Sequence, residues 1–211
     1  MRILITAGPT QEPIDPVRYL GNRSSGQMGR SLAEAALKAG HAVTLILGPI
    51  SIDMPQACRR IDVLSSGEMH KAVLDEFPRH DLLLMAAAVA DYRPKVVQPQ
   101  KIERGGTLTL ELEPTEDILA AAGSIKQADQ RTVGFSLVDR SNLGRSLEKL
   151  RKKKADLIVS NPLETVGSKT VEAVLLWPSG RSEEVPCRSK GEFADNLLQR
   201  AVELFNPVGT P

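Results

Sequence analysis

Cysteine and aromatic residues are scarce in this chain, and neither sign of charge dominates. Only two of its 211 residues are cysteine, Cys58 and Cys187. They stand far apart, with no C-x-x-C pair and no cysteine–histidine cluster. That argues against a disulfide scaffold and a thiolate zinc site and leaves reduced bystander thiols as the default. Aromatics make up 3% of the chain, too few for platforms on which unpaired bases stack. A net charge of +1 gives no basic field for nucleic acid. No apolar run approaches membrane-spanning length, and no basic segment with a long apolar run opens the chain. The expectation is a soluble, cytoplasmic protein that binds neither nucleic acid nor membrane.

What is present is a regular alternation of apolar runs and amphipathic stretches. Hydrophobic residues reach 41%, enough for a sizeable core in one domain. Residues 2–6 predict a strand, followed by a polar loop and a helix from about Ser25 to Gly40. His41–Leu47 is β-branched and continuous, as in a strand buried on both faces. Arg60–Leu64 predicts a short strand, and Ser65 with Glu68 a capping box that opens a helix to about Phe77. Asp81–Ala87 is the next buried strand. Alternating β and α elements imply parallel pairing with right-handed crossovers. Such a doubly wound α/β sheet holds ligands beyond the carboxyl ends of its strands, so the loops after Thr6 and Ala87 should meet.

Tyr92–Arg104 carries two prolines and basic residues without period and predicts an exposed, mobile flap. Thr107–Leu112 alternates strictly, as a half-exposed strand does. Helix from about Thr115 to Lys126, strand Thr132–Leu137, a basic helix Asn142–Lys154 and strand Ala155–Ser160 follow. Val171–Trp177 and Arg181–Val185, split by Pro178-Ser179-Gly180, predict a C-terminal β-hairpin. Ser189 and Glu192 form a second capping box, opening a helix to about Phe205. The domain should therefore span residues 1–205, with 206–211 a frayed tail.

Five groups of residues could carry chemistry. The first is the loop of Gly8, Arg18, Asn22, Arg23, Ser24, Ser25 and Gly26. Its hydroxyls and free N–H groups at a helix start suit a phosphate, although Ser24 or Ser25 could equally serve as a helix cap. The second is Ala86-Ala87-Ala88 with Asp91: small residues let a ligand approach the backbone, and Asp91 could hold a ribose hydroxyl, hold a metal-bound water or cap a turn. The third is Lys101, a flap lysine able to close over a phosphate or simply solvated. In the basic helix, Arg145, Lys149 and Lys153 fall at intervals of four, as a shared face or as cations suited to the helix dipole. Last, Phe135 could stack on a base or pack in the core. The glycine spacing fits neither G-x-G-x-x-G nor G-x-x-x-x-G-K-[ST], which weakens the NAD(P) and P-loop readings.

In this order, ITAGPTQEPIDPVRYLGNRSSGQMG (residues 5–29), AAAVADYRP (86–94), the QKIER flap and VGF resemble the phosphopantothenoylcysteine synthetase family of coenzyme A biosynthesis. The resemblance runs from about Arg2 to Phe205 and implies a Rossmann-like fold and a two-step ligation. The carboxylate of 4'-phosphopantothenate would attack the α-phosphate of CTP, releasing pyrophosphate. L-cysteine would then attack the acyl-cytidylate, releasing CMP, with Mg2+ carried on the triphosphate. It implies that Asn22 holds the intermediate and that Lys101 serves the first step. Asp91, Thr115, Glu116, Asp117, Ile118, Phe135, Lys149 and Lys153 would contact the nucleotide, as would the backbone of Ala86, Ala87 and Ala88. It also implies a homodimer formed near the flap and hairpin. With no flavin-decarboxylase half before Met1, a free-standing synthetase that binds no FMN is expected, with the decarboxylase as a separate partner.

The departures from the family pattern cluster on the nucleotide side. They are VGFSLVD (Val133–Asp139) for VGFAAET, Thr115-Glu116 for Asn-Pro, and Ser160-Asn161-Pro162 for Ala-Asn-Asp. Two other classes stay open: a non-catalytic nucleotide-binding module, and an NAD(P)-dependent oxidoreductase, which would need a dinucleotide fingerprint.

Overall fold

The structure, a computed structural model, describes residues 1–138, 143–162, 168 and 170–206. Asp139, Asn142 and the tail residues 207–211, together with the side chains of Val138, Leu143, Arg145 and Cys187, lie outside that description. In chain order the elements are β1 (Arg2–Ala7), β2 (Gln11–Pro13), β3 (Tyr19–Gly21), α1 (Gln27–Lys38), β4 (Ala42–Leu47), β5 (Arg59–Asp62), α2 (Ser66–Glu76), β6 (Leu82–Met85), β7 (Tyr92–Pro94), β8 (Leu112–Pro114), α3 (Ile118–Ile125), β9 (Arg131–Val138), α4 (Leu143–Lys152), β10 (Leu157–Pro162), β11 (Thr170–Leu176), β12 (Ser182–Ser189) and α5 (Lys190–Glu203).

Eight strands form one sheet in the order β12-β11-β10-β9-β6-β1-β4-β5. All neighbours from β10 to β5 pair in parallel, and β11 and β12 close one edge as an antiparallel hairpin. The alternation of β1 explains the layering. Ile3 and Ile5 face the core shared with Leu32 of α1 and with Phe193 and Leu197 of α5. Leu4 faces the opposite core, with Met69 of α2, Ile118 of α3 and Leu150 of α4. Helices thus cover both faces, so the central strands are apolar without interruption.

The chain runs from β1 outward through β4 and β5, then returns to the other side of β1 at β6. The strand order therefore reverses between β1 and β6, the switch point at which open α/β sheets hold ligands. The mostly parallel, doubly wound sheet, its flanking helices and the hairpin agree with the sequence reading.

Four local expectations need correction. Helix α1 starts at Gln27 rather than Ser25, and its N-cap is Gly26 at φ 74°, with no side-chain cap. Ser24 and Ser25 do not cap it. Their Oγ atoms accept from the N–H groups of Gly26 and Gln27, each at a long 3.4 Å. At α2, Ser65 Oγ accepts from Glu68 N, but the Glu68 carboxylate accepts from Leu64 N at 2.6 Å, so the box is half formed. The box at Ser189 and Glu192 is complete. Finally, the alternating Thr107–Leu112 stretch is no strand: the ladder is confined to β8, paired antiparallel with β7. Leu108 and Leu110 are exposed there. Alternation becomes a ladder only beside a partner: Glu111 O accepts from Lys95 N at 2.9 Å and Leu112 stands opposite Pro94, but among the described residues 107–110 have no such partner.

Candidate active site

At the switch point the loops that follow β1 and β6 are laced together. Ala88 N donates to Gly8 O at 2.9 Å, and Thr10 N to Ala88 O at 3.3 Å, as a parallel bridge between Pro9 and Ala88. Thr6 Oγ1 accepts from Ala87 N at 3.2 Å, and Thr10 Oγ1 from Ala90 N at 2.9 Å. Asn22 Nδ2 reaches across to Val89 O at 2.8 Å. The sequence expectation that these loops meet is therefore met. Gly8 at φ 79° and Gly26 at φ 74° carry the tight backbone here, and a Cβ on either would come 2.9 Å from Ile50 Cγ2. Gly29 presses on Ala7, where a Cβ would lie 2.3 Å from the alanine Cβ.

The loop between β1 and α1 is a small hairpin, β2 with β3, held by two buried carboxylates. Glu12 Oε1 accepts the Ser66 N–H at 2.7 Å, at the start of α2. Asp15 accepts the N–H groups of Val17 and Arg18, each at 2.8 Å, and of Ile102 at 3.1 Å. Burial pushes the Asp15 carboxyl up, but these backbone donors and Arg18 outweigh it and hold it below the usual value. Arg18, expected at the substrate, is engaged structurally: Nη1 lies 3.2 Å from Asp15 Oδ2, and Nη2 donates to Ile102 O at 3.0 Å. Lys101, one residue away, is exposed and has no partner among the described residues. Arg23 is likewise exposed. A groove of about 460 Å³ runs along the flap, and Lys101 is the only expected site residue in its lining.

The residues expected at the nucleotide form two groups. Ala86 and Phe135 belong together: Met85 pairs with Gly134, so the next residues stand level, and both pack half-buried against the same core cluster. Phe135 thus meets its core-packing alternative at least in part. Asp91 is exposed, and no partner of its carboxylate lies among the described residues, so it does not cap a turn. Thr115 ties the next segment to this loop, its N–H donating to Asp91 O at 3.0 Å and its hydroxyl to Ala90 O at 2.6 Å.

The second group is engaged in pairs. Glu116 lies 3.1 Å from Arg93. A bond to its own backbone N–H, then the Arg93 charge, hold its carboxyl below the ordinary value despite some desolvation. Asp117 caps α3 by accepting from Ala120 N at 3.1 Å, so the helix begins at Ile118, itself buried, and not at Thr115. Lys153 lies past the end of α4 and pairs with Asp117 at 3.1 Å. Lys149 is half-buried and without an ion pair among the described residues; the Arg145 side chain lies outside them. Among the described residues no three His, Cys, Asp or Glu side chains gather as a metal site, and no helix is long and apolar enough to cross a membrane.

Sequence reasoning passed over Glu12, Asp15, Thr6 and Thr10. The signal available was E-P-x-D-P itself: two acidic residues, each before a proline, in a loop otherwise rich in turn formers.

These features define a doubly wound α/β protein whose two motif loops join at the switch point, without a dinucleotide fingerprint. More narrowly, the chain belongs to the DNA/pantothenate metabolism flavoprotein C-terminal domain family, which it matches over residues 1–204. A relative from an unidentified prokaryote, named cysteine/cysteine sulfinic acid decarboxylase, is 39% identical over 211 residues, covering 97% of this chain and 59% of the relative. The coenzyme A biosynthesis bifunctional protein CoaBC of Vibrio cholerae is 40% identical over 204 residues, covering 93% of this chain and 51% of that protein. The crystal structure of the C-terminal domain of a CoaBC protein superimposes with a TM-score of 0.84 at 36% identity, covering 99% of this chain and 96% of that one. The chain thus spans 51–59% of the length of these two curated relatives and nearly all of the solved domain.

Proposed function

We propose that this chain joins 4'-phosphopantothenate to L-cysteine through an acyl-nucleotide, with CTP as the nucleotide. The observation that carries the reading is the joining of its two most specific motifs at the switch point, through Asn22 and Val89 at 2.8 Å. The coenzyme A biosynthesis role in the name of the Vibrio cholerae relative supports it.

In the first step the substrate carboxylate attacks the α-phosphorus of the triphosphate and pyrophosphate leaves. The uncapped N-terminus of α1, with Ser24, Ser25, Gly26 and Arg23, would receive the phosphate of phosphopantothenate. Gly8 supplies the turn beneath it. The exposed ammonium of Lys101 would stabilise charge on the phosphoryl group being transferred. Ala86, Ala87, Ala88, Asp91 and Phe135 would line the nucleotide, and Lys149 would face its phosphates. Lys153 would have to leave Asp117 to do the same. In the second step the cysteine amine attacks the activated carbonyl and CMP leaves. Asn22, fixed by Val89, would orient the mixed anhydride for that attack. A cation brought on the triphosphate, Mg2+, keeps most of its waters and needs few protein ligands; Asp91, exposed and without a carboxylate partner among the described residues, would face one of those waters. That cation would neutralise phosphate charge.

The alternating Thr107–Leu110 stretch, without a ladder partner among the described residues, and the exposed Val96, Val97, Leu108 and Leu110 support a homodimer closed through the flap arm. The ligation product keeps the cysteine carboxylate, so a flavin-dependent decarboxylase, fused or separate, is the partner this reading asks for. The test is pyrophosphate release with CTP, ATP or GTP, each with and without phosphopantothenate and cysteine. Release should require phosphopantothenate, and CMP should follow on adding cysteine. No release with any nucleotide would favour a binding module.

A further inference from the structure

The flap is tied down at its tip in one place. Among the described residues, positions 99–110 make no hydrogen bond to the rest of the chain except at Ile102. Both backbone groups of Ile102 are held there by a single pair. Asp15 Oδ2 accepts its N–H at 3.1 Å, and Arg18 Nη2 donates to its carbonyl at 3.0 Å. Asp15 and Arg18 are in turn locked to each other at 3.2 Å, and the Asp15 side chain has no solvent exposure. Its other oxygen is filled by the N–H groups of Val17 and Arg18, at 2.8 Å each. Upstream, Gln98 N donates to Ile14 O at 2.9 Å, a second stitch to the same turn. Every acceptor site of Asp15 that faces a donor is therefore in use, and all of them serve the loop and the flap. Charge-assisted bonds of this kind are the strong ones, and a buried carboxylate is costly unless its partners stay in place.

We propose that Asp15 is a positioning residue that latches the flap onto the loop after β1 and thereby places Lys101 over the site. Consecutive Cα atoms lie about 3.8 Å apart, so holding Ile102 by both backbone groups leaves Lys101 a short radius of movement. The same Asp15 shapes the turn that leads into Asn22. One buried carboxylate thus sets the distance between the two residues to which the ligase reading gives the chemistry. The consequence for catalysis rests on that reading; the latch itself does not.

The experiment is limited proteolysis of the ligand-free protein with trypsin, read at the bond between Lys101 and Ile102, whose N–H Asp15 holds. Cleavage there needs the flap to open, so its rate reports the open population. Asp15→Asn keeps the shape of the side chain but can turn an amide against the Ile102 N–H. It should be nicked about 10-fold faster or more, as the loss of bonds to a charged acceptor implies. Arg18→Met, which removes the carbonyl tie and the charge that faces Asp15, should be nicked faster too, and the double variant should add little to either single one. Thermal melts establish that each variant is folded, and Arg18→Met carries the test if Asp15→Asn does not fold. Equal nicking in the wild-type protein and the folded variants would overturn the latch. In the activity assay, Asp15→Asn should lower kcat for pyrophosphate release by about 10- to 100-fold, the range a misplaced catalytic group costs, with KM for CTP changed far less. Faster nicking with unchanged kcat would overturn the positioning role. A wild-type protein that releases no pyrophosphate with any nucleotide would refute the ligase reading alone, while the nicking ratio would still decide the latch.

Discussion

Asn22 and Lys101 sit in different mechanical situations, and this predicts different failures. Asn22 spends its amide N–H on Val89 O, and its Oδ1 meets no donor among the described residues. Lys101 spends its ammonium on no partner among the described residues. Asn22→Ala should leave pyrophosphate release largely intact but slow the cysteine-dependent release of CMP, so that acyl-nucleotide accumulates. Lys101→Ala should depress pyrophosphate release itself by about 100- to 1,000-fold, the scale of losing one charge-stabilising donor. Equal loss of pyrophosphate release in both variants would contradict this division. Residues of this sort were legible in the sequence by type and motif, but their engagements were not. Arg18, Glu116 and Lys153 were expected at ligands, and each is already held by a partner within the chain. Asp15 was passed over because burial of a carboxylate depends on which distant backbone N–H groups surround it, and no periodicity records that.

Among the elements, strands and long helices follow from local pattern, while their ends follow from particular side chains. The Asp117 cap starts α3 at Ile118, three residues later than the expected start near Thr115, and it also gathers Lys153 from beyond the end of α4. Asp117→Ala should lower stability by about 1 kcal/mol through the lost cap, a fall in Tm of about 2–4 °C for a chain of this size. Asp117→Asn keeps an acceptor for Ala120 N but loses the charge, and because the pair is partly exposed it should cost less than ~1 kcal/mol. A melt in which the two variants fall equally would place the stabilisation in the ion pair rather than the cap. The short strands β2, β3, β7 and β8 could not have been read from sequence. Three residues are too few for a period, and each of these strands exists because a loop folds back on itself.

Across the whole molecule, several carboxylates that join distant elements are held charged. Hydrogen bonding from Arg59 holds the buried Glu76 carboxyl below its usual value against desolvation, linking β5 to α2. Hydrogen bonding from Arg2 does the same for Asp81, at the entry to β6. A lowered folded-state pKa stabilises fully above the unfolded value, about 4 for these groups, and that stability is lost as pH falls through the folded value. The urea midpoint should therefore stay level from pH 7 to about 5 and decline below about 4. Arg59→Gln should lower the neutral-pH midpoint and make the acid decline shallower, and an unchanged acid limb would contradict the assignment to Glu76. The architecture was the most legible scale of all. Continuous β-branched runs announced a sheet buried on both faces, and alternation of β and α announced the switch point at which both motif loops meet. The segment 107–110 was misread at this scale because its pattern asks for a neighbouring strand, and among the described residues none lies beside it.

The central claim is an acyl-nucleotide formed between the β1 and β6 loops, and oxygen tracing tests it most directly. Phosphopantothenate labelled with 18O in its carboxylate is turned over with CTP and cysteine, and the products are weighed by mass spectrometry. Attack of that carboxylate on the α-phosphorus, followed by cleavage at the carbonyl, must leave one 18O atom in the CMP and none in pyrophosphate. Label in a phosphate released from the end of the triphosphate, or CMP that carries none, would contradict the account.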